Sequence, residues 1–167
     1  NGKPAQTKTG KTILDASLDA GIYIPHLCHH PDLPSAGACR LCLVEIEGMA
    51  GLYPSCATPA AEGMVVKTKG PVLDKVRRLA LELMLINHPP DCTTCPKYLN
   101  CELQSLKQYL GITEGIRFKK SDKIHSINTN NPLFVHDFSR CILCGRCVRA
   151  CHDLRGATVM SFNGTGV

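Results

Sequence analysis

The chain has 167 residues, of which 11 are cysteine and 20% are charged, and its formal net charge is +5. Cysteine at this level lies below that of a small secreted disulfide scaffold, and an odd count cannot pair completely. With no Trp, few aromatics and no basic stripe, no nucleic-acid partner is expected. No apolar run is long enough to span a bilayer, so no direct membrane insertion is expected. Asn1-Gly2-Lys3-Pro4 carries no signal-peptide core, which points to a reducing, cytoplasmic location.

In chain order, Thr12 caps a short helix over 13–20, with Ile13, Leu14 and Leu18 on one face and Gly21 as its stop. Ile22 to Pro25 is extended, because a residue before proline avoids the helical region. Residues 26–39 form a loop rich in Pro, Gly and His. Alternation over 41–47 predicts a strand, and a second strand follows over 64–69. Pro71 opens a helix in which Val72, Leu73, Val76, Leu79, Ala80, Leu83 and Met84 recur at helical spacing; Pro89-Pro90 ends it after about Asn87. A short helix runs over 101–110 with Gly111 after it. Residues 113–132 are a polar connector. A short strand over 134–138, a loop over 141–147, a helix over 148–154 and a strand over 157–162 complete the chain. The predicted class is α+β.

Every cysteine falls into a metal-ligand spacing. The first group is Cys28, Cys39, Cys42 and Cys56, a loop of three plus one distant ligand, which fits a 2Fe–2S cluster. Small residues Ala36, Gly37 and Ala38 let backbone N–H groups approach the sulfurs. A structural zinc site is the alternative, although only one C-x2-C pair is present and the other two ligands are widely spaced. The second group is His88, Cys92, Cys95 and Cys101. A neutral imidazole in place of a thiolate makes a cluster easier to reduce, while Cys₃His is also a zinc set. The third group is Cys141, Cys144, Cys147 and Cys151, a C-x2-C-x2-C-x3-C run of the bacterial ferredoxin kind, followed by His152 where proline is usual. Cys141, Cys144 and Cys147 share one 4Fe–4S cluster. Cys151 either closes it or belongs to another cluster completed by chain beyond Val167; the second is expected. Arg40, Lys97, Arg140, Arg146, Arg149 and Arg155 neighbour these ligands, either as compensation for cluster charge or as ordinary solvated surface. His26, His29, His30, His125, His136 and His152 show no ligand spacing among themselves, and Lys119-Lys120 reads as solvated.

These sites, in this order, resemble the iron–sulfur region shared by the complex I large iron–sulfur subunit, electron-bifurcating iron-only hydrogenases, the diaphorase small subunit of NAD-reducing hydrogenases and the α subunit of NAD-dependent formate dehydrogenases. The resemblance rests on Ile24-Pro25-His26-Leu27-Cys28, on Gly37 to Ile46, on Asp91-Cys92-Thr93-Thr94-Cys95 and on Ser139 to Cys151. It implies a β-grasp 2Fe–2S ferredoxin-like domain over 1–70, a helical His-Cys₃ 4Fe–4S domain over 71–112, the connector, and a bacterial-ferredoxin-like 4Fe–4S domain over 133–167.

The cofactors expected are therefore one 2Fe–2S and two 4Fe–4S clusters, and no catalytic residue is assigned. The function expected is single-electron relay in a multisubunit NAD(P)H-linked oxidoreductase, between a flavin- and NAD(P)-binding subunit and a catalytic subunit or domain. The alternatives are a freestanding polyferredoxin and a zinc-binding interaction module.

Overall fold

The computed structural model describes residues 2–113, 117–118 and 127–162. Lys119-Lys120, His125, most of the connector and the last five residues lie outside them.

Helix α1 (Ile13–Asp19) starts where the sequence predicts. The Thr12 Oγ1 accepts from the Asp15 N–H at 3.2 Å, and the Asp15 carboxylate accepts from the Thr12 N–H at 3.3 Å. This reciprocal capping box satisfies two N–H groups that the helix cannot pair internally. Ile13 and Leu14 then pack on Ile24, Val44, Ile46, Cys42 and Cys56.

The sheet is three-stranded. Strand β1 (Leu43–Ile46) is central, flanked by β2 (Tyr53–Pro54) and β3 (Val66–Lys67), all antiparallel, with Val44 opposite Tyr53 and Ile46 opposite Val66. Both expected strands are shorter than their alternating runs, and β2 carries too few residues to show a periodicity.

Helix α2 (Pro71–Leu85) has proline in its first turn and stops two residues earlier than expected. Its core face differs from a purely apolar stripe. Leu73, Arg77, Leu81 and Glu82 are buried, whereas Val72, Leu79 and Leu83 are exposed. Helix α3 (Glu102–Tyr109) begins just after Cys101, and Gly111 follows it in the left-handed region at φ +63°, as its composition predicts. Leu103 and Leu106 of α3, Leu81 of α2 and Ile112 share one core with Leu27, Cys28, Cys39 and Leu41. The first two segments are thus cemented by common apolar burial.

Within and after the connector, β4 (Ile127–Asn128) pairs antiparallel with β5 (His136–Asp137). The predicted strand over 134–138 is reduced to that pair, because Phe138–Arg140 turns into a 3₁₀ segment capped by Asp137. The predicted loop over 141–147 ends at Gly145. Helix α4 (Arg146–Arg149) already includes Cys147 and continues as a π turn over Ala150–Leu154. Residues 157–162 form no strand. Thr158 stands in the left-handed region at φ 50°, which interrupts an extended run, and the Ala157 N–H donates back to the Cys151 carbonyl at 3.1 Å. No helix among the described residues is long and apolar enough to cross a membrane.

Candidate metal centres

The first cysteine group lies at the seam of the two apolar cores: Cys28 and Cys39 belong to one, Cys42 and Cys56 to the other. All four are at most 5% exposed. They approach two by two, Cys28 hydrogen-bonded to Cys39 and Cys42 to Cys56. The hydrogen bond from Cys39 draws the Cys28 thiol down to about 5 against its own burial, and that from Cys56 draws Cys42 down to about 6. The same shared protons, reinforced by burial, push Cys39 and Cys56 up. Each pair therefore holds one thiolate readily, the form that binds metal.

Backbone donors surround the sulfurs. The N–H groups of Ala38 and Cys39 point at Cys28, and that of Gly37 at Cys56. Gly37 itself has φ +60°, and the small residues around it do what the sequence requires of them. The Ser55 Oγ is buried beside the Cys42 sulfur with no well-formed hydrogen bond, so it stands ready for a charged acceptor there. A buried set of four sulfurs, ringed by N–H donors and an unmatched hydroxyl, fits a negatively charged sulfur cluster.

The second group converges as well. His88, Cys92, Cys95 and Cys101 line one cavity of about 440 Å³, with Leu85, Tyr98, Leu103 and Phe118 on its walls. The His88 Nδ1 donates to the Pro89 carbonyl at 3.0 Å, which leaves Nε2 with a free lone pair. Burial pulls the His88 pKa down and the Arg140 charge adds to this, against the opposing pull of the Pro89 hydrogen bond. Asp91 orders the loop between His88 and Cys95 by accepting from the Thr93 N–H at 3.2 Å and the Thr94 hydroxyl at 2.8 Å.

The third group is less uniform. Cys141 and Cys147 are exposed and Cys144 is half-buried, while Cys151 is buried. Gly145 at the start of α4 has φ +70°, and a Cβ there would meet the Phe162 ring at 3.1 Å. Among the described residues no three or more His, Cys, Asp or Glu side chains are set closely enough to hold a single metal ion.

Several features escaped sequence reasoning. Each cysteine loop contains one non-glycine residue in the left-handed region: Arg40 at φ 57°, Leu99 at 64° and Leu143 at 55°. Such strain is worth on the order of 1–3 kcal/mol per residue and collects at binding loops. Arg77, read as an unremarked polar position on α2, is fully buried and donates to the Leu41 and Leu43 carbonyls on either side of Cys42. Of the six basic residues beside ligands, Arg40, Lys97 and Arg155 face solvent, whereas Arg140, Arg146 and Arg149 reach across to the other two groups. Only the position of these three, next to cysteines, hinted at it.

Comparison with known proteins fits this picture. Residues 1–71 match a family model for a 2Fe-2S iron-sulfur cluster binding domain, residues 77–115 one for the NADH-ubiquinone oxidoreductase-G iron-sulfur binding region, and residues 134–151 one for a 4Fe-4S binding domain. Fold and sites thus define an iron–sulfur protein with 2Fe–2S and 4Fe–4S binding domains. The chain is 38% identical over 168 residues to the mitochondrial NADH-ubiquinone oxidoreductase 78 kDa subunit of Neurospora crassa, covering 99% of this chain and 22% of that protein. It is 39% identical over 166 residues to the NADP-reducing hydrogenase subunit HndD of Solidesulfovibrio fructosivorans, covering 96% and 28%. It superposes on a chain of the crystal structure of an NAD+-reducing [NiFe]-hydrogenase in the H2-reduced state with TM-score 0.87 and 38% identity, covering 98% of this chain and 68% of that one. The chain belongs to the iron–sulfur family shared by NADH–ubiquinone oxidoreductases and NAD(P)-reducing hydrogenases. It spans only 22% to 28% of the length of the two curated relatives named above.

Proposed function

We propose that this chain relays single electrons within a multisubunit NAD(P)H-linked oxidoreductase, between a flavin- and NAD(P)-binding partner subunit and a catalytic subunit or domain. The observation that carries the reading is the two-by-two approach of the first four cysteines. A 2Fe–2S cluster has two irons, each needing two cysteine sulfurs, and Cys28 with Cys39 and Cys42 with Cys56 supply that pattern. A single zinc ion would instead need all four around one point.

In this reading, residues 1–70 form a β-grasp 2Fe–2S domain and residues 71–112 hold one 4Fe–4S cluster through His88, Cys92, Cys95 and Cys101. After the connector over 113–132, residues 133–167 form a ferredoxin-type domain whose Cys141, Cys144 and Cys147 hold another. Cys151, the one buried cysteine of that run, serves a cluster other than the one its three neighbours hold. When bound, such clusters supply reversible one-electron exchange. The chain's own residues set its conditions. The N–H groups of Gly37, Ala38 and Cys39 stabilise negative charge on the sulfurs, and the apolar cores keep water from the first site. The Pro89 carbonyl fixes the His88 ring for ligation through Nε2. The partner reading is supported by the relatives' names, which describe subunits of larger assemblies.

The test is anaerobic purification, assay of iron and acid-labile sulfide, and EPR after dithionite reduction. Two spectroscopically distinct cluster classes are expected, with Cys56→Ser abolishing or altering the 2Fe–2S signal alone. A colourless protein without labile sulfide refutes the reading.

A further inference from the structure

The third cysteine group is tied to the other two by arginines that flank its own cysteines. Arg140, next to Cys141, donates to the Thr94 hydroxyl beside Cys95 at 3.4 Å. Arg146, next to Cys147, donates to the His29 carbonyl at 2.8 Å and pairs with Glu102, beside Cys101, at 2.7 Å. Arg149 goes furthest. It lies midway between Cys147 and Cys151, donates to the Pro34 carbonyl at 2.7 Å, and donates through Nη2 to the carbonyl of Cys28 itself. Its Nε is buried without a partner, and among the described residues no carboxylate ion-pairs with it.

A partly buried guanidinium held only by carbonyls keeps its charge uncompensated by the protein. The thiol charge its guanidinium acts on directly is that of Cys28 of the first group, while its own backbone stands in the third group, two residues from Cys147 and from Cys151. From this geometry, and resting on the relay function proposed above, we infer that Arg149 is a positioning residue shared by the first and third sites. It holds their two loops in register and lends both the same positive charge. Adding an electron to either site adds one negative charge and makes or breaks no bond, so the guanidinium favours reduction at both. Its removal opposes reduction at both, by about tenfold in the ratio of reduced to oxidised cluster at a fixed solution potential, which for a one-electron couple is 59 mV.

The experiment is a dithionite-poised EPR redox titration of the cluster-loaded protein, following the 2Fe–2S and 4Fe–4S signals separately by temperature. Arg149→Met should move both midpoints negative, while Arg149→Lys, which keeps the charge, should restore most of the shift. Arg155→Met, which removes a solvent-facing charge near the same cysteine, should move them less. If Arg149→Met loses iron, Arg149→Gln is titrated in its place, with the same expectation. An unmoved 2Fe–2S midpoint in the uncharged variant overturns the inference, because Arg149 is then a structural tie of the third site alone. A parent protein lacking the 2Fe–2S signal overturns the cofactor reading, and this inference with it.

Discussion

Replacing Arg77 by methionine removes a buried cation that bridges α2, the β1 region and the loop after β3. The guanidinium is 1% exposed and donates to the carbonyls of Leu41 at 3.0 Å, Thr68 at 2.9 Å and Leu43 at 2.6 Å. Its nearest carboxylate, Asp74, is 4.0 Å away and largely in water, so the carbonyls hold it. Hydrogen bonds from a charged donor are worth about 1.5–3 kcal/mol each. Against their loss stands the relief of a desolvated cation, of several kcal/mol. Since the substitution also strands three buried acceptors, the net loss should be roughly 3–5 kcal/mol. For a chain of this size each kcal/mol moves the melting temperature by about 2–4 °C, so Arg77→Met should melt roughly 6–20 °C lower. Arg77→Lys keeps the charge but cannot span three separated carbonyls and should fall between. The assay is thermal unfolding of the loaded protein at one fixed scan rate, read by far-UV circular dichroism and visible absorbance together, because cluster loss makes unfolding irreversible. A Met variant melting within about 2 °C of the parent would refute the reasoning.

Three further outcomes are expected. Glu82 is buried and accepts from Arg117 at 2.7 Å and Arg78 at 3.1 Å, and these hydrogen bonds, the Arg117 bond above all, hold its carboxyl below the ordinary value of about 4.5 despite burial. A depressed folded pKa means stability present above about pH 4.5 and lost as pH falls through the folded value. Both partners reach solvent, so Glu82→Gln should lower stability by about 1–2 kcal/mol at pH 7. In urea melts, that gap should shrink at acid pH; a gap that widens there contradicts the assignment. His88→Cys exchanges a neutral ligand for a thiolate and should lower the midpoint of the second site by on the order of 100 mV with iron content unchanged, measured by redox titration; a rise would exclude His88 as ligand. Thr12→Ala breaks the capping box of α1 and should reduce stability by about 1 kcal/mol in the same urea melts, with cluster spectra unaltered.

The features readable from the chain are those whose causes lie within a few residues. Thr12 and Asp15 cap α1, Pro71 opens α2, Gly111 closes α3, and the Cys95 N–H closes a short turn on the Cys92 carbonyl. The same holds for His88, placed by its helix end and the prolines after it. Strands were less legible, because a ladder needs a partner. Strands β2 and β4 are two residues long and exist through pairing with β1 and β5, while residues 157–162 form no strand and carry Thr158 in the left-handed region. Least legible was the fate of charge. Nothing local distinguishes Arg77 from Arg78, or Arg149 from Arg155, since each sits in a helical or turn segment that gives a cation no reason to be buried. What buries Arg77 and Arg149 is a set of carbonyls delivered from remote segments, and only the packed chain brings those acceptors and the two cysteine pairs of the first site to one place.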